Sequence, residues 1–316
     1  MLLHEFPDLS WIQRQSKSNF QNRETVKGTM ERPGWPNVIM NTSSWGCERR
    51  GIQGPLSLFT NITGEGWVTR AGRTSTINSN VFCLSNHGAP YDLILPEKQS
   101  TTTFNIHFGE DLVKQAFSLA LQSTEDQLEC SELSAGHVNF SNRTFWTSQR
   151  VRHYITAIQQ LGQLYQKLPD YSEKENELLL ALLIELLSIN ELDLKGLNQF
   201  ESLKRSTKVE IHARLSIAID YLHAHWNETI SSEELAMAAC MSKFHFLRCF
   251  KQVFGQSPRQ YQMQIRLDAA KRALSYSRQS IIEIARAVGY AEPNSFHRLF
   301  TKTLGISAQQ YRAQYA

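Results

Sequence analysis

Two stretches near the end of the chain carry the same pattern fifty residues apart, CMSKFHFLRCFKQVFGQSPRQY at 240–261 and YAEPNSFHRLFTKTLGISAQQY at 290–311. Phe246 aligns with Phe296, Arg248 with Arg298, Phe250 with Phe300, Gly255 with Gly305, Ser257 with Ser307 and Tyr261 with Tyr311. A chain that writes one helical unit twice, with cations at matching positions, must build two similar supports and present two similar surfaces. Such a pair suits a partner whose own surface repeats along an axis.

Each copy reads as two helices around a tight turn. Ser231 with Glu234 and Ser280 with Glu283 have the spacing of a capping box, in which the Ser oxygen takes an orphan N–H and the Glu returns the favour. The chain then breaks near Cys240 and Gly289; glycine suits a left-handed turn and cysteine does not. The next helices start at about Ser242 and Pro293, with Pro favoured at the first helical position. Phe246, Phe250, Val253 and Phe254 form one apolar stripe, and Phe296, Leu299, Phe300 and Leu304 the other. The opposite faces carry Phe244, Leu247, Arg248 and Lys251, then Asn294, His297, Arg298 and Thr301. Gly255 and Gly305 end these helices, and Ser257 and Ser307 cap the following ones.

Between the copies, PRQYQMQIRLDAAKRALSYS has no Gly and no Pro after its first residue. A continuous helix of about 18 to 20 residues spans roughly 27 to 30 Å, near the roughly 34 Å between successive major grooves on one face of B-form DNA. LAMAACMSKFHFLRCFKQVFGQSPRQY and IARAVGYAEPNSFHRLFTKTLGISAQQYR resemble the DNA-binding domain of AraC/XylS transcriptional regulators, two helix-turn-helix units joined by a long helix. The resemblance covers about a third of the chain. It implies a DNA-contacting set of Ser242, Lys243, Phe244, Leu247, Arg248, Lys251, Asn294, Ser295, His297, Arg298 and Lys302. Leu247 departs from the polar residues common at its position, and Cys240 from the small or glycine residue common at the turn. Phe244 and Leu247 fit either contact with thymine methyl groups or packing of one of them on the linking helix.

Charge divides the chain in the same way. Residues 208–316 hold 14 Lys plus Arg against 8 Asp plus Glu, a net of +6; residues 1–207 hold 19 against 22, a net of −3. Phosphate contacts therefore belong to the C-terminal part. The five cysteines, Cys47, Cys83, Cys130, Cys240 and Cys249, show no paired spacing, which favours reduced thiols and a cytoplasmic chain. No secretory or membrane segment is expected.

From Pro55 to Phe108 the runs LSLFTNI, WVTRA, VFCLS, YDLIL and TTFNIHF predict short strands separated by turns. They suggest a small barrel or sandwich, and VFCLSNHGAPYDLIL to FNIHFGEDLV resembles the cupin-like effector domain carried by many regulators of this family. His87 and His107 stand alone, and His223 and His225 point to different faces of a helix, so neither metal nor cofactor is expected. Cys83 lacks the glycines of a nucleophile elbow and reads as a buried strand thiol. Arg49, Arg50, Arg70 and Arg73 fit a solvated basic face before an anion site. Residues 148–168, with apolar positions from Val151 to Tyr165 and Leu168, and 174–190 predict an antiparallel helical pair around Pro169, either packed on the strands or shared with a second copy. Trp11, Trp35 and Trp45 argue against full disorder of the N-terminal segment.

The expectation is thus an α+β chain. Residues 1–50 have no clear role, 51–190 form a cupin-like β-barrel effector and dimerisation domain with a helical pair, 191–207 a linker, and 208–316 an all-α domain of two helix-turn-helix units joined by a long helix. The partners implied are double-stranded DNA, RNA polymerase, a small-molecule effector and a second copy in a homodimer, with no membrane. Two other classes remain open: an enzyme or repair protein carrying such a module, for which no nucleophile or cysteine cluster has the spacing, and an architectural DNA binder without an effector.

Overall fold

The computed structural model describes residues 2–4, 36–122, 139–164, 170–198, 200 and 204–315. Trp11, Trp35, Cys130, Tyr165, Leu168 and Pro169 lie outside them. The chain divides into two compact units, Met1–Leu192 and Asp193–Ala316.

In the first unit the strands are β1 (Leu2–Leu3), β2 (Val38–Ser44), β3 (Cys47–Ile52), β4 (Ser57–Thr63), β5 (Gly66–Arg70), β6 (Arg73–Ile77), β7 (Val81–Ser85), β8 (Tyr91–Leu95), β9 (Thr101–His107) and β10 (Thr144–Trp146). Helix α1 (Glu110–Gln122) precedes β10, and α2 (Gln149–Leu164) and α3 (Tyr171–Asn198) follow it. One sheet has the order β1-β2-β9-β4-β7-β10 and the other β3-β8-β5-β6. Only β1 and β2 pair in parallel among these strands. Neither sheet is closed, so the expected barrel is replaced by two separate sheets. Strand β2 and most of β3 come from residues before 51, which moves the sheet region earlier than its expected boundary.

Alternation along the strands shows how the layers meet. β5 and β8 alternate buried and half-buried residues, as one-sided strands do, whereas β7 is buried throughout. Leu58, Phe82, Leu84, Phe104 and Ile106 on one face of the larger sheet pack with Val151, Ile155, Ile158, Leu179, Leu182, Leu183 and Leu186 of α2 and α3. Phe59 and Cys83 on its other face join Val68, Ile77, Tyr91, Leu93 and Leu95 of the smaller sheet. The apolar sides of α2 and α3 are thus spent largely on the sheet; Leu180, Ile184 and Leu187 remain half-buried.

That inner face of the larger sheet is unusually polar. Strand register sets Val38, His107, Ser57 and Ser85 in one row, Met40, Asn105, Phe59 and Cys83 in the next, and Thr42, Thr103 and Asn61 beyond. All are buried. Ser57 Oγ lies 2.8 Å from His107 Nδ1, and Met40 Sδ 3.3 Å from its Nε2. Thr103 Oγ1 donates to Asn105 Oδ1 at 3.0 Å. Thr42 Oγ1 and Asn105 Nδ2 have no hydrogen-bond partner among the described residues, and each such group costs about 1–3 kcal/mol. Arg70, only 4% exposed, reaches across from β5, donating from Nη1 to Leu84 O and from Nη2 to Ser75 Oγ. It is not on a solvated face, because the alternation of β5 turns it inward with Gly66 and Val68. Arg50 does stand in solvent, paired with Glu48.

The second unit begins with the end of α3. The helix continues through residues 191–198, where a connector was expected, because Leu194 and Leu197 extend the apolar spacing of Leu187. Gly196 is required there: a Cβ would stand 2.2 Å from Val253 O. The remaining helices are α4 (Arg205–Ala224), α5 (Ser232–Ala238), α6 (Lys243–Phe254), α7 (Pro258–Tyr276), α8 (Ile281–Ala287), α9 (Pro293–Leu304) and α10 (Ala308–Tyr315). No helix among the described residues is long and apolar enough to cross a membrane.

Burial pushes the His107 pKa down to about 4 from an ordinary 6.5. Below about pH 6.5 the unfolded chain binds a proton that the folded chain refuses, so stability falls as pH drops from about 6.5 toward 4, with a limiting slope of about 1.4 kcal/mol per pH unit. A His107→Gln variant should lose that part of the slope. Equal pH dependence of denaturant unfolding for variant and parent would remove His107 as its source.

Candidate nucleic-acid interface

Helices α5 and α6 form the first helical unit and α8 and α9 the second. Their starts are held by reciprocal caps. Ser231 N donates to Glu234 Oε2 at 2.7 Å and Glu234 N to Ser231 Oγ at 3.1 Å; Ser280 and Glu283 repeat this at 2.6 and 3.2 Å. Hydrogen bonds with the serines hold both Glu carboxyls below their ordinary pKa range. The helices after each unit start in the same way, through Ser257 with Gln260 and Ser307 with Gln310.

The turns differ. Cys240 has φ 51° and Gly289 φ 88°, so the left-handed position recurs after 49 residues, whereas the second helices recur after 50. The turn of the second unit is therefore one residue longer. Cys240 adopts the conformation that its sequence disfavours, at a cost of roughly 1–2 kcal/mol, while Arg214 Nη1 donates to its carbonyl at 2.6 Å. The 6→1 bond that closes each turn, Met241 N to Ala236 O and Tyr290 N to Ala285 O, is 2.9 Å in both.

Under each second helix lies the same aromatic cluster. Phe246 and Phe250 stand 5.6 Å apart and Phe250 meets Tyr261 edge-on at 6.0 Å; Phe296, Phe300 and Tyr311 repeat this at 5.4 and 5.6 Å. Phe246, Phe250, Phe296 and Phe300 are fully buried. His223, expected to serve no metal, lies 2.9 Å from the Tyr261 hydroxyl and braces the first cluster.

With the aromatics inward, the opposite faces are free. Ser242, Lys243, Arg248 and Lys251 on the first unit are exposed, as are Asn294, Ser295, Arg298 and Lys302 on the second. Leu247 and His297 are half-buried at the margins. Phe244 is 86% exposed, which excludes the packing alternative for it. Ser242 is the N-cap by position but its side chain makes no capping bond. Lys243 pairs with Glu233, an exposed ion pair of little worth that leaves the cation available. Arg248 Nη2 lies 3.3 Å from His245 Nδ1. The two faces are joined by α7, whose 19 residues span about 28 Å. Sequence reasoning missed Arg214 and Arg266, whose side chains end on the carbonyls of the two turn residues. Their signal was weak: cations on long helices more than twenty residues before each turn.

Residues 235–314 match the family described as a helix-turn-helix domain. That region is an AraC-type helix-turn-helix domain. The MmsAB operon regulatory protein of Pseudomonas aeruginosa is 36% identical over 101 residues, covering 31% of this chain and 33% of that protein. The uncharacterized HTH-type transcriptional regulator YisR of Bacillus subtilis is 33% identical over 154 residues, 48% of this chain and 50% of its own. The lactose operon transcription activator of Staphylococcus xylosus is 32% identical over 99 residues, 31% and 36% respectively. These matches span half or less of each relative's length. Among solved structures, the DNA-binding domain of AdpA in complex with a target DNA is 32% identical, covering 32% of this chain and 92% of that chain at a TM-score of 0.31.

The exposed guanidinium on each second helix of the AraC-type domain has the planar fork that meets guanine or phosphate in two hydrogen bonds. Arg248→Ala and Arg298→Ala should each weaken binding to a duplex selected from a random library by about 1–3 kcal/mol. Unchanged affinity in both variants would remove these residues from recognition.

Proposed function

We propose that this chain is a sequence-specific DNA-binding transcription regulator, and not an enzyme carrying the same module. The observation that carries the reading is the pair of solvent-facing, cation-bearing helix faces raised on identical aromatic supports within the AraC-type domain. Ser242, Lys243, Phe244, Leu247, Arg248 and Lys251 meet one groove, and Asn294, Ser295, His297, Arg298 and Lys302 the next. Phe244 contacts a thymine methyl, the apolar feature of the major groove.

The reading extends to the first unit, which we take as a cupin-like effector domain. Its support is the buried polar wall, where Thr42 Oγ1 and Asn105 Nδ2 await partners that a small hydrogen-bonding molecule would supply. A compound seated there should raise the melting temperature of the full chain, and should fail to do so with Asn105→Leu. Self-association uses α2 and α3, where Leu180, Ile184 and Leu187 form a half-buried stripe. Operator binding in the cytoplasm then brings the regulator to RNA polymerase. Sedimentation as a monomer at micromolar concentration would reject the dimer.

The function is tested by competition. The full chain should prefer its selected operator over random duplex by about 10³-fold or more, with affinity falling steeply as salt rises. Equal binding to both would make it an architectural binder. Replacing the contacted thymine by uracil should weaken the parent protein and leave a Phe244→Ala variant unchanged; if no thymine methyl matters, the contact is wrong.

A further inference from the structure

Midway along α7, Arg266 gathers backbone carbonyls from both helical units. Its Nε donates to Trp226 O at 2.9 Å and its Nη2 to Glu228 O at 2.6 Å, both in the segment that leads into α5. Its Nη1 donates to Gly289 O at 3.1 Å, the left-handed residue in the turn of the second unit. The guanidinium lies 5.5 Å from the centre of the Tyr290 ring. One helical turn earlier on α7, Gln262 Nε2 donates to the same Trp226 and Glu228 carbonyls at 3.0 and 2.8 Å.

The two units also touch directly at this point. Asn227 Nδ2 donates to Ala287 O at 3.3 Å, and Asn227 O lies where a Cβ on Gly289 would stand at 2.1 Å. Gly289 is therefore required twice, for its φ of 88° and for this approach. α7 fixes the separation of the units along its axis, and the second unit also packs on it through α8 and α10. Beyond α7 the chain passes through Ser277, in extended conformation, before α8 begins at Ile281. The contacts around Arg266 add directional hydrogen bonds that tie the turn of the second unit to the segment leading into the first.

We propose that Arg266 is a positioning residue that locks the two recognition helices at one separation and one angle, so that the domain accepts its two half-sites at a single spacing. The proposal rests on the reading of this domain as a DNA-binding one. It depends on the fork geometry of the guanidinium: three N–H groups in fixed directions meet three carbonyls from two units, which the single ammonium of Lys cannot do. Inserting one base pair between the half-sites turns one relative to the other by about 34° and moves it by about 3.4 Å. A locked pair of helices cannot follow both changes; an unlocked pair follows much of them.

The test uses the full chain and its selected operator, with three further duplexes: one base pair inserted between the half-sites, one removed, and the second half-site scrambled. Arg266→Lys and Arg266→Gln are compared with the parent, and Gln262→Met serves as a milder variant that leaves Arg266 in place. The parent should bind the altered spacings at least about ten-fold more weakly than the operator, the loss of one good base contact or more. In the Arg266 variants that ratio should shrink to within about three-fold, while affinity for the scrambled duplex, held by the first unit alone, stays within about two-fold of the parent. Gln262→Met should lie between them. Spacing discrimination unchanged in all three variants overturns the proposal. So does loss of operator and scrambled-duplex affinity in parallel, which marks a residue that only supports the fold. A parent protein that prefers no duplex defeats the DNA-binding reading itself, a separate failure.

Discussion

Edge-on packing of Phe250 on Tyr261, repeated by Phe300 on Tyr311, is the contact on which the C-terminal architecture depends. Each ring pair joins the second helix of a unit to the helix that follows it, and each buries side chains that the helix would otherwise expose. Large aromatic surfaces are worth more per residue than any other apolar group, with an added preference for tilted geometry. Two such anchors, Phe246 with Phe250 and Phe296 with Phe300, satisfy the inward stripe of a helix of only 12 residues. The outward positions are then released from any packing duty. Only on that condition can one face carry Lys243, Phe244, Arg248 and Lys251 without cost to the core.

Much of this is legible in the amino-acid sequence, and the reason is local. Capping boxes are defined by residues three apart, helix ends at Gly255 and Gly305 by a single residue, and the inward stripes by helical spacing, so the second unit could be drawn almost in full. Five of the six strands between Ser57 and His107 were legible for the same reason, since alternation and turn residues act within a few positions, whereas β6, the polar run Arg73–Ile77, was not among them. What escaped was set by distant partners. The left-handed Cys240 occurs where Arg214 arrives from α4 and donates to its carbonyl. Arg70 reads as a surface cation by composition and becomes buried through the parity of β5. Whether ten short strands close into one barrel or remain two sheets depends on edge pairing, which no single strand records.

The first unit shows a different balance between folding and use. One wall between the sheets is Val68, Ile77, Leu93 and Leu95, and it would pack well against a second apolar wall. The facing wall supplies Phe59 and Cys83, but beside them stand Thr103, Asn105, His107, Ser57 and Asn61, each removed from water. Most of these are satisfied by neighbours on the same sheet, which limits the cost. Thr42 Oγ1 and Asn105 Nδ2 are not, although they stand on adjacent strands and Val or Leu would remove the penalty outright. Stability alone does not account for this choice, and that is the ground for the effector site proposed above.

The two helical units share a support and differ in what they present. At matching positions Phe244 faces Asn294, Leu247 faces His297 and Lys251 faces Thr301, while Arg248 and Arg298 alone keep the same chemistry. Asn can pair with adenine through two hydrogen bonds and Phe can meet a methyl group through none, so under the proposed reading the two faces would ask for different bases around a shared arginine. The extra residue in the second turn adds a geometric difference to the chemical one. A repeat of this kind conserves what must be rigid and varies what must discriminate. The requirement that follows falls on the joint: two unlike surfaces can identify one stretch of duplex only if their relative position is fixed, and the hydrogen bonds that Arg266 makes to carbonyls on both sides of the joint, beside the packing of α8 and α10 on α7, are the proposed means of fixing it.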